Sequence, residues 1–587
     1  MNKISTEELF KIAYNHLQNK NYSKSIELFN KILTHFPENL SVLRNLLHAY
    51  AFSGDFHNAE NTIKKVLRLN EKEPYVYQFY ASILKNQDKI DEMINLIEEG
   101  LSKNLMNPKW KYQKELLFPV IVKDNNEIDK FRKKINNCYD QIIENSEQLN
   151  YDNDQIIQTP HYESSYNQHD NLELNIKSVK ALRKIYKELS ENCVVEKKEN
   201  EKIKIGFISE FFTNHTIGRL FKNIIFSLDQ SKFDIFVLHS KKTKSSDLFN
   251  EFIKKEKNGF LKNIRLPEKL SEKISFFKKE KFNILFYPDI GMSVEMYYLS
   301  LIRLAKHQIM SWGHPETTGS ESIDFFLCSK SLVTNETSKS YSEKLLLMEH
   351  LPMIYEMPKV KQKLKDAELV KKNIYSCPQT MFKFHPDFDH ILAEILKKDK
   401  KGVLYLIKDT NKVYFNKLIE RFKKIDFFDL DRVIFLDPLS RDNYINHLGT
   451  SSVLLDPLYF GAGNSFHESM VYGTPTITMP TKFIKSRIVN AAYIQMEIDN
   501  PPVVGNKKEY VELAIDIANK ENLLEIKKYC LDFKLVLYEN DSTDGTTEIL
   551  NKMKSDTIHI ISEKNINILG GRTIILSWGR NKLLEYI

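Results

Sequence analysis

The chain has 587 residues, which is more than one compact core can organise, so several domains are expected. Its composition, 42% hydrophobic and 28% charged, is typical of a soluble globular protein. Lysine and arginine total 85 against 78 acidic residues, a net charge of +7, and the lysines are spread along the chain. Nucleic-acid binders concentrate basic charge on one face, so we expect no nucleic-acid partner.

The cysteines and the N-terminus predict a cytoplasmic protein. Five cysteines lie far apart, with no C-x-x-C pair and no metal-ligand spacing, which favours a reduced intracellular environment. The first residues, MNKISTEELF, carry no apolar signal-peptide core, and no window approaches the ~20 apolar residues of a membrane helix. We therefore expect neither secretion nor a membrane span.

Residues 1–120 contain a repeat with a period of 34 residues. Tyr22, Phe56 and Ile90 fall in register at this spacing. The same register relates Ser25 to Ala59 and Met93, and Phe29 to Ile63 and Ile97. Paired amphipathic helices at this period are typical of tetratricopeptide repeats, which stack into a solenoid with a concave surface. We favour a docking groove for a protein or peptide over a spacer or a dimerisation arm.

Residues 121–200 predict a helical connection. An Asn/Asp-rich piece, 145–171, is expected to be exposed, and 178–191 is expected to form one amphipathic helix that packs on the domain C-terminal to it.

From Lys202 onward, short apolar runs alternate with helical patterns. The candidate strands are 203–209, 233–240, 282–289, 308–312, 344–348, 402–407, 432–437, 453–456 and 476–479. This alternation predicts two doubly wound, Rossmann-like domains, at 201–350 and 351–525. A ligand would bind in the cleft between them, at the carboxyl ends of the strands.

The stretch 456–487 reads as a nucleotide-binding unit. Gly461 and Gly463 allow close approach of a ligand, and Asn464 and Ser465 are expected to cap a short helix that stops at Gly473. Free amides and the positive dipole at such a helix start suit a diphosphate.

Glu468, one turn into that helix, could reach a ribose. The alternative is that Ser465 and Glu468 form only a capping box, because the S-x-x-E spacing is the expected one.

Three further polar residues follow predicted strands, at the edge where the cleft would open. They are His215, before a helix that Thr216 is expected to cap, His314, before a Thr-Thr-Gly turn, and Lys383, before a helix opened by Pro386. Taken singly, a histidine is more often structural and a lysine more often a solvated charge. Their shared position makes them candidates for chemistry.

Several motifs resemble the O-linked N-acetylglucosamine transferase family, and in particular its bacterial SPINDLY-like branch, which also carries tetratricopeptide repeats. The likeness covers about residues 1–525. It rests on SEFFTNHTIGRLF (209–221), LFYPDIGM (285–292), HQIMSWGHPETTGSESIDFFL (307–327), YSEKLLLM (341–348), CPQTMFKFHPDFD (377–389), GAGNSFHESMVYGTPTITMP (461–480) and Ser486–Arg487. The resemblance implies an inverting glycosyltransferase of the GT-B fold that modifies protein side chains.

The resemblance also implies roles for the nucleotide-sugar site. Lys383 matches the lysine that holds the diphosphate, and Glu468 matches the ribose-binding carboxylate. Asn464 and Ser465, after Gly463, match the pyrophosphate-binding residues, although animal enzymes have threonine where this chain has Asn464.

Three residues are matched around the base, the sugar and the acceptor. Arg441 stands where the family has a base-stacking lysine, and a planar guanidinium can stack there too. His215 matches a histidine close to sugar and acceptor, and His314 begins the second cleft motif. Whether His215 is the general base or a hydrogen-bonding residue stays open, because no carboxylate stands at a fixed spacing to orient it.

Leaving-group chemistry favours transfer without a metal. Displacing a nucleoside diphosphate requires stabilising new phosphate charge, by a divalent metal or by fixed cations and helix amides. We expect Lys383 and the helix start to stabilise this charge. We expect none of the cleft motifs to supply an Asp-x-Asp metal site. No cofactor is expected, since the nucleotide sugar, UDP-GlcNAc by resemblance, is a co-substrate.

Residues 526–587 resemble the start of a GT-A glycosyltransferase related to fungal capsule mannosyltransferases. The likeness rests on FKLVLYENDSTDGTTEIL (533–550). A stretch of about 60 residues is too short for that domain, so we expect a partial fragment without activity.

The donor, the acceptor and even activity itself stay open at the level of sequence. Related families use UDP-glucose on asparagine or GDP-fucose on serine and threonine. A scaffold with inactive transferase domains is the alternative from another class.

Overall fold

A computed structural model describes residues 5–70, 73–153, 156–194, 202–369 and 371–520, together with residue 527 and the strand backbones of 535–540 and 558–563. None of the helices in these ranges is both long and apolar enough to cross a membrane.

The N-terminal residues form three antiparallel helix pairs. The helices are α1 (Thr6–Gln18), α2 (Tyr22–Leu33), α3 (Leu40–Phe52), α4 (Phe56–Leu69), α5 (Pro74–Asn86) and α6 (Ile90–Ser102). The repeat prediction is confirmed in detail: Tyr22, Phe56 and Ile90 each begin the second helix of a pair. The aligned residues one and two turns later are buried, because each pair packs its apolar side on the next.

The last repeat is attached to the second α/β domain. The turn after α5 brings Asp88 into an ion pair with Lys417, and the Asn86 carbonyl accepts a hydrogen bond from Asn411 Nδ2 at 3.2 Å. The solenoid therefore has a fixed attachment point on that domain.

The connection contains α7 (Trp110–Gln113), α8 (Asn125–Asn145) and α9 (Leu172–Ile185). The helix expected at 178–191 begins earlier and ends at Ile185, and a separate 3-10 turn comes after it.

The expectation that 145–171 is exposed is wrong for residues 160–168. His161, Ser164, Ser165 and Asn167 are buried, because this segment passes between the two α/β domains and contacts both. Some of its polar groups are satisfied locally: the Asn167 side-chain amide, for example, donates to the Ser164 carbonyl at 2.8 Å.

The first α/β domain is built on a seven-stranded, fully parallel sheet of order β3-β2-β1-β4-β5-β6-β7. Its strands are β1 (Ile203–Ile208), β2 (Phe233–His239), β3 (Lys262–Arg265), β4 (Phe282–Tyr287), β5 (Ala305–Ser311), β6 (Phe325–Ser329) and β7 (Lys344–Met348). Its helices are α10 (Thr216–Phe226), α11 (Asp247–Lys257), α12 (Leu270–Glu280) and α13 (Val294–Ser300). Two of these strands are not among those predicted from the sequence. They are the polar edge strand β3 and the strand β6, which lies next to the opposite edge of the sheet.

The second α/β domain has a five-stranded parallel sheet of order β10-β9-β8-β11-β12. Its strands are β8 (Ile374–Cys377), β9 (Val403–Ile407), β10 (Val433–Leu436), β11 (Val453–Leu455) and β12 (Thr476–Ile477). Its helices are α14 (Asp366–Leu369), α15 (Pro386–Lys398), α16 (Lys412–Lys423), α17 (Arg441–Thr450), α18 (Asn464–Ser469), α19 (Ile488–Gln495) and α20 (Lys507–Asn519). The central strand β8 is missed from sequence, because IYSC is short and half polar.

The two domains share one apolar interface. Phe466, Ile484 and Ile488 of the second domain are buried in the same hydrophobic cluster as the core of the first. At the edge of this interface the ring of His314, after β5, lies 5.9 Å from the ring of Phe460, after β11. The loops at the carboxyl ends of the two sheets therefore meet, although the exact domain limits, 201–350 and 351–525, stay a prediction.

Beyond residue 527 the structure describes a parallel strand pair, β13 (Leu535–Asn540) and β14 (Ile558–Glu563). The acidic Asp541–Thr546 turn on which the GT-A resemblance depends lies outside the described residues.

Candidate active site

Lys383 occupies the centre of the cleft, at the end of a 3-10 turn that precedes α15. Its ammonium donates to Gln379 Oε1 at 2.9 Å and to the Gly461 carbonyl at 3.0 Å, and lies 5.0 Å from the centre of the Phe460 ring. Burial lowers the pKa of Lys383 to about 8, an effect that the Asp456 carboxylate partly opposes. The lysine is thus a poorly solvated cation facing the glycine loop.

Gln379 joins Lys383 to Ser465. Its amide Nε2 donates to Ser465 Oγ, while its Oε1 accepts from the lysine. The two residues that the sequence assigns to the diphosphate therefore belong to one hydrogen-bond network, although 82 positions separate them along the chain. Gln379 is not predicted from the sequence as a site residue, and its position in the CPQTMFKFHPDFD motif is its only signal.

Asp456, directly after β11, holds the glycine loop in place. Its carboxylate accepts from the Ala462 amide at 2.5 Å and from Thr478 Oγ1 at 2.6 Å, and burial raises its pKa to about 7. A Cβ at residue 461 would lie 2.9 Å from Asp456 Oδ2, so the loop requires Gly461. A Cβ at Gly463 would meet no atom within 4 Å, so space is open beside this glycine.

The expected capping by Asn464 and Ser465 is wrong. Both residues lie inside α18, Gly463 is the N-cap, and no side chain caps the helix. The helix also ends at Ser469 rather than at Gly473. The capping-box alternative fails with it, because Ser465 Oγ is engaged by Gln379.

Glu468 instead faces Arg441, which is the first residue of α17. Arg441 Nη2 lies 3.8 Å from Glu468 Oε1; the Arg441 side chain is 52% exposed and the Glu468 side chain 11%. Arg219 of α10 contributes a further charge from the first domain, since burial and then Arg441 lower the Arg219 pKa, while Glu468 opposes them. Charged groups of both domains thus line this side of the cleft.

His215, rather than Thr216, caps α10. Its Nδ1 accepts from the Ile217 amide at 3.2 Å, and its ring lies 4.6 Å from that of Phe211. Burial and then Arg219 lower its pKa, which favours the neutral ring. With Nδ1 used as an acceptor, the neutral ring carries its proton on Nε2 and offers a hydrogen-bond donor there.

His314 is fully buried in the wall of the cleft. Its Nε2 lies 3.1 Å from Ser165 Oγ, and its ring stacks on Tyr162 at 5.2 Å. Burial, followed by His161, Lys485 and Lys383, lowers its pKa far below the usual value. The geometry brings His314 next to the Lys383 cluster through Phe460, as a neutral ring.

Glu343 fixes the turn that lies just after His314 in the chain. Its buried carboxylate accepts from Thr317 Oγ1 at 2.7 Å, from the Thr318 amide at 2.9 Å and from Thr318 Oγ1. Burial raises its pKa. The YSEK motif contributes to the family resemblance, but this role of Glu343 is not predicted from the sequence.

The cleft motifs contain one Asp-x-Asp sequence that the metal-free expectation leaves out, Asp387–Phe388–Asp389. Asp389 is paired with Arg421, at 2.5 Å from Nε. Asp387 accepts from Tyr459 at 2.8 Å and pairs with Lys507 at 3.0 Å. Both carboxylates are therefore bound in structural contacts. Within the part of the chain that the structure describes, no three His, Cys, Asp or Glu side chains form a group that could hold a metal ion.

Comparisons with known proteins agree with this geometry. The family model described as glycosyl transferase family 41 matches residues 161–374, and a tetratricopeptide repeat model matches residues 41–73. A structure of a mutant of the Thermobaculum terrenum O-GlcNAc transferase superposes with a TM-score of 0.61 at 14% identity, covering 90% of this chain and 92% of that one. This superposition confirms the expected fold class, a repeat solenoid followed by two Rossmann-like domains of the GT-B fold.

Two curated relatives are similar in sequence. The probable UDP-N-acetylglucosamine–peptide N-acetylglucosaminyltransferase SEC of Arabidopsis thaliana is 22% identical over 344 residues, 56% of this chain and 34% of the relative. The UDP-glucose:protein N-beta-glucosyltransferase of Actinobacillus pleuropneumoniae is 25% identical over 258 residues, 42% of this chain and 40% of the relative.

The chain thus spans well under half the length of the curated relatives it matches. The chain therefore combines a tetratricopeptide segment, residues 41–73, with a region, residues 161–374, that is similar to glycosyl transferase family 41, and its sequence is similar to an O-GlcNAc transferase-like relative.

Proposed function

We propose that this protein transfers a sugar from a nucleotide sugar, held between the two α/β domains, to a protein side chain. The observation that carries the proposal is the network in which Gln379 links Lys383 to Ser465 beside the Gly461 carbonyl. A cation, a hydroxyl and an open glycine converge here, as binding a diphosphate requires.

Lys383 is proposed to neutralise the departing diphosphate. Two of its three N–H bonds have partners among the described residues, and the third is available to a phosphate oxygen. Because the ammonium is poorly solvated, its interaction with a phosphate that gains charge in the transition state is strengthened. Gln379 and the Gly461 carbonyl keep the flexible side chain pointed at that position.

The nucleoside end is assigned to Glu468 and Arg441. A carboxylate such as Glu468 accepts from ribose hydroxyls, and the half-exposed guanidinium of Arg441 offers a planar face to a base. Their mutual distance of 3.8 Å fits adjacent contacts to one nucleoside. Gly463, Asn464 and Ser465 at the start of α18 complete the diphosphate contacts.

In the proposed inverting step, the acceptor atom attacks the anomeric carbon while the bond from that carbon to the diphosphate oxygen breaks. The bonding electrons leave with the diphosphate, beside Lys383, and the proton of the acceptor passes to an oxygen of that diphosphate, which gains negative charge in the step. His215 is proposed as a hydrogen-bond donor through Nε2 rather than as the general base, because its Nδ1 already accepts from a backbone amide. His314 contributes a neutral wall that excludes water.

UDP-GlcNAc with serine or threonine acceptors is our first assignment of substrates, after the Arabidopsis relative. The second candidate is UDP-glucose in N-linked transfer, favoured by the likeness to the Actinobacillus enzyme. GDP-fucose is the third donor to test. The acceptor protein is proposed to dock on the repeats, in the cytoplasm, and transfer is proposed to need no metal.

One experiment tests these points together. The purified chain is incubated with UDP-GlcNAc, UDP-glucose or GDP-fucose, each with and without excess chelator, and release of the nucleoside diphosphate is measured. We expect hydrolysis of one donor, unchanged by chelator and lost in Lys383→Ala. Hydrolysis abolished by chelator would refute metal-free transfer, and a Lys383→Ala variant as active as wild type would refute the site.

A further inference from the structure

A buried ion pair links the two α/β domains behind the site. Lys485 Nζ lies 3.1 Å from Glu316 Oε2, and the two side chains are 1% and 8% exposed. Lys485 belongs to the 3-10 turn Ile484–Ser486, between β12 and α19 of the second domain. Glu316 belongs to the first domain, two residues after His314 in the loop after β5.

The surroundings of the pair make it costly. Ile484 and Ile488, on either side of Lys485 in the sequence, are buried in the apolar cluster that the two domains share. Removing two charges from water costs hydration free energy, and their mutual attraction offsets only part of that cost. A buried ion pair is therefore weak evidence for stability. A role in fixing the relative position of the groups that it joins accounts better for its presence.

Hydrogen bonds of the backbone connect the ion pair to the proposed diphosphate site. The Lys485 carbonyl accepts from the Gly461 amide at 2.8 Å, and the Gly461 carbonyl accepts from Lys383 Nζ at 3.0 Å. On the other side, Glu316 directly precedes Thr317, which Glu343 holds at 2.7 Å. A continuous set of contacts therefore runs from the clamped loop of the first domain to the lysine of the second.

We propose that Glu316 and Lys485 are positioning residues that set the glycine loop and Lys383 against the first domain, in the geometry that receives the diphosphate. Neither side chain touches the donor in this assignment. The inference rests on the proposed function for its consequence in nucleotide binding, but the loop geometry that it describes can be measured without any nucleotide.

The test uses the full chain as Lys485→Met, Glu316→Gln and the double variant. Lys482→Met is the matched control, an exposed lysine three positions earlier on the same loop. Hydrogen exchange of the Gly461 and Ala462 amides is measured without ligand, with α20 of the same domain as an internal reference. UDP binding is measured by calorimetry, and thermal melting reports folding.

We expect both single variants to exchange Gly461 at least fivefold faster than wild type, with α20 unchanged, and to bind UDP at least fivefold more weakly. Since the two residues act as one contact, the double variant should match the worse single variant rather than the product of the two. It should also melt higher than either single variant, because no unpaired charge is buried. Lys485→Arg should retain most of the binding.

If a single variant does not fold, the double variant, neutral at both positions, decides by the same two measurements. Exchange and UDP affinity within twofold of wild type, or losses that multiply in the double variant, would overturn the inference. Should wild type bind no UDP while Gly461 exchange still responds, the proposed substrate fails and the positioning role stands.

Discussion

Each of the two α/β domains holds its cleft loop with a buried carboxylate, but the two carboxylates have different effects on the site. In the first, Glu343 accepts three hydrogen bonds from the Thr317–Thr318 turn. In the second, Asp456 accepts from Ala462 and Thr478. Both are buried carboxylates with raised pKa values. Asp456, however, also acts electrostatically on Lys383, which opposes the fall in the lysine pKa.

Glu343 therefore fixes only the conformation of its loop, whereas Asp456 fixes the conformation of its loop and also favours the charged form of Lys383. Loss of Glu343 should affect the fold of a loop, whereas loss of Asp456 should affect the fold of a loop and the charge state of the residue that meets the diphosphate. Five perturbations can break or sharpen that distinction, from the largest expected effect to the smallest.

Removing the cation should have the largest effect. We expect Lys383→Ala to lower donor turnover by about 10²–10³-fold, the range typical for loss of one preorganised group that stabilises developing charge. The melting temperature should not fall, since burying the lysine opposes its charged form. Lys383→Met serves as a volume-matched control for packing, and turnover within threefold of wild type in either variant would contradict the assignment.

The two clamps should respond differently to neutralisation. Asp456→Asn and Glu343→Gln should each destabilise the fold by about 1–3 kcal/mol, because each leaves buried donors facing an amide. Asp456→Asn should also weaken UDP binding by about tenfold, since it removes both the loop geometry and the carboxylate that favours the charged form of Lys383, whereas Glu343→Gln, which acts on the site only through Glu316, should weaken it less. Urea unfolding and calorimetry measure the two effects. An equal loss of affinity in Glu343→Gln would remove the distinction.

The affinity for UDP should fall as the pH rises through 8. The pKa of Lys383 is lowered to about 8, so the free site loses its cation above that pH, whereas a bound diphosphate favours the charged form. Titrations at pH 7.5 and 8.5 stay above the Asp456 pKa of about 7 and below the ionisation of the uracil ring, so that the change in affinity reports the lysine. Lys383→Arg should bind UDP without this pH dependence, and a flat profile in wild type would speak against the lowered pKa.

Loss of the half-exposed Arg441 should weaken UDP binding less than loss of a buried group of the diphosphate site. Arg441→Ala should weaken UDP binding by about threefold to tenfold, because its side chain is half exposed and its contacts are screened by solvent. Arg432→Ala is no suitable control, since that residue ties three backbone carbonyls together. The exposed Lys508 of α20 is suitable, and Lys508→Ala should leave binding unchanged.

The repeats offer the smallest expected effect on the site. Glu60, buried in the solenoid, accepts from Lys64, Lys89 and Gln87, and these contacts lower its pKa to about 2 against the opposing effect of burial. The stabilisation is present above pH 4.5 and is lost as pH falls towards 2. Glu60→Gln should therefore lower the melting temperature at pH 7 and change UDP affinity less than twofold.

Patterns within short stretches gave a correct outline of the fold. The period of 34 residues places Tyr22, Phe56 and Ile90 at equivalent helix starts, and alternating apolar runs locate most strands of both sheets. Two of the three exceptions, β3 and β8, have physical reasons. An edge strand such as β3 needs no apolar run, and the central β8 is only four residues long.

The sequence singles out some residues of the candidate site but not the contacts that join them. Lys383 and Ser465 are visible as residue types after strands, yet the Gln379 amide that joins them reaches across 86 positions. The Lys485–Glu316 pair spans 169 positions. Local patterns carry no information on such contacts. Composition also misleads at Asn167 and Asn171, which predict an exposed loop but are buried with their amides bonded to the Ser164 carbonyl.

The third repeat is attached to α16 through Asp88 and Asn86, and this attachment fixes the distance between the end of the solenoid and the second α/β domain. If an acceptor docks on the repeats as proposed, this attachment fixes the distance between the docked segment and the cleft. Acceptor residues at one spacing from the docked segment would then reach the cleft, and identical residues nearer or farther along the acceptor would not. Selection among acceptor side chains would then depend on tether length as much as on the sequence around each of them.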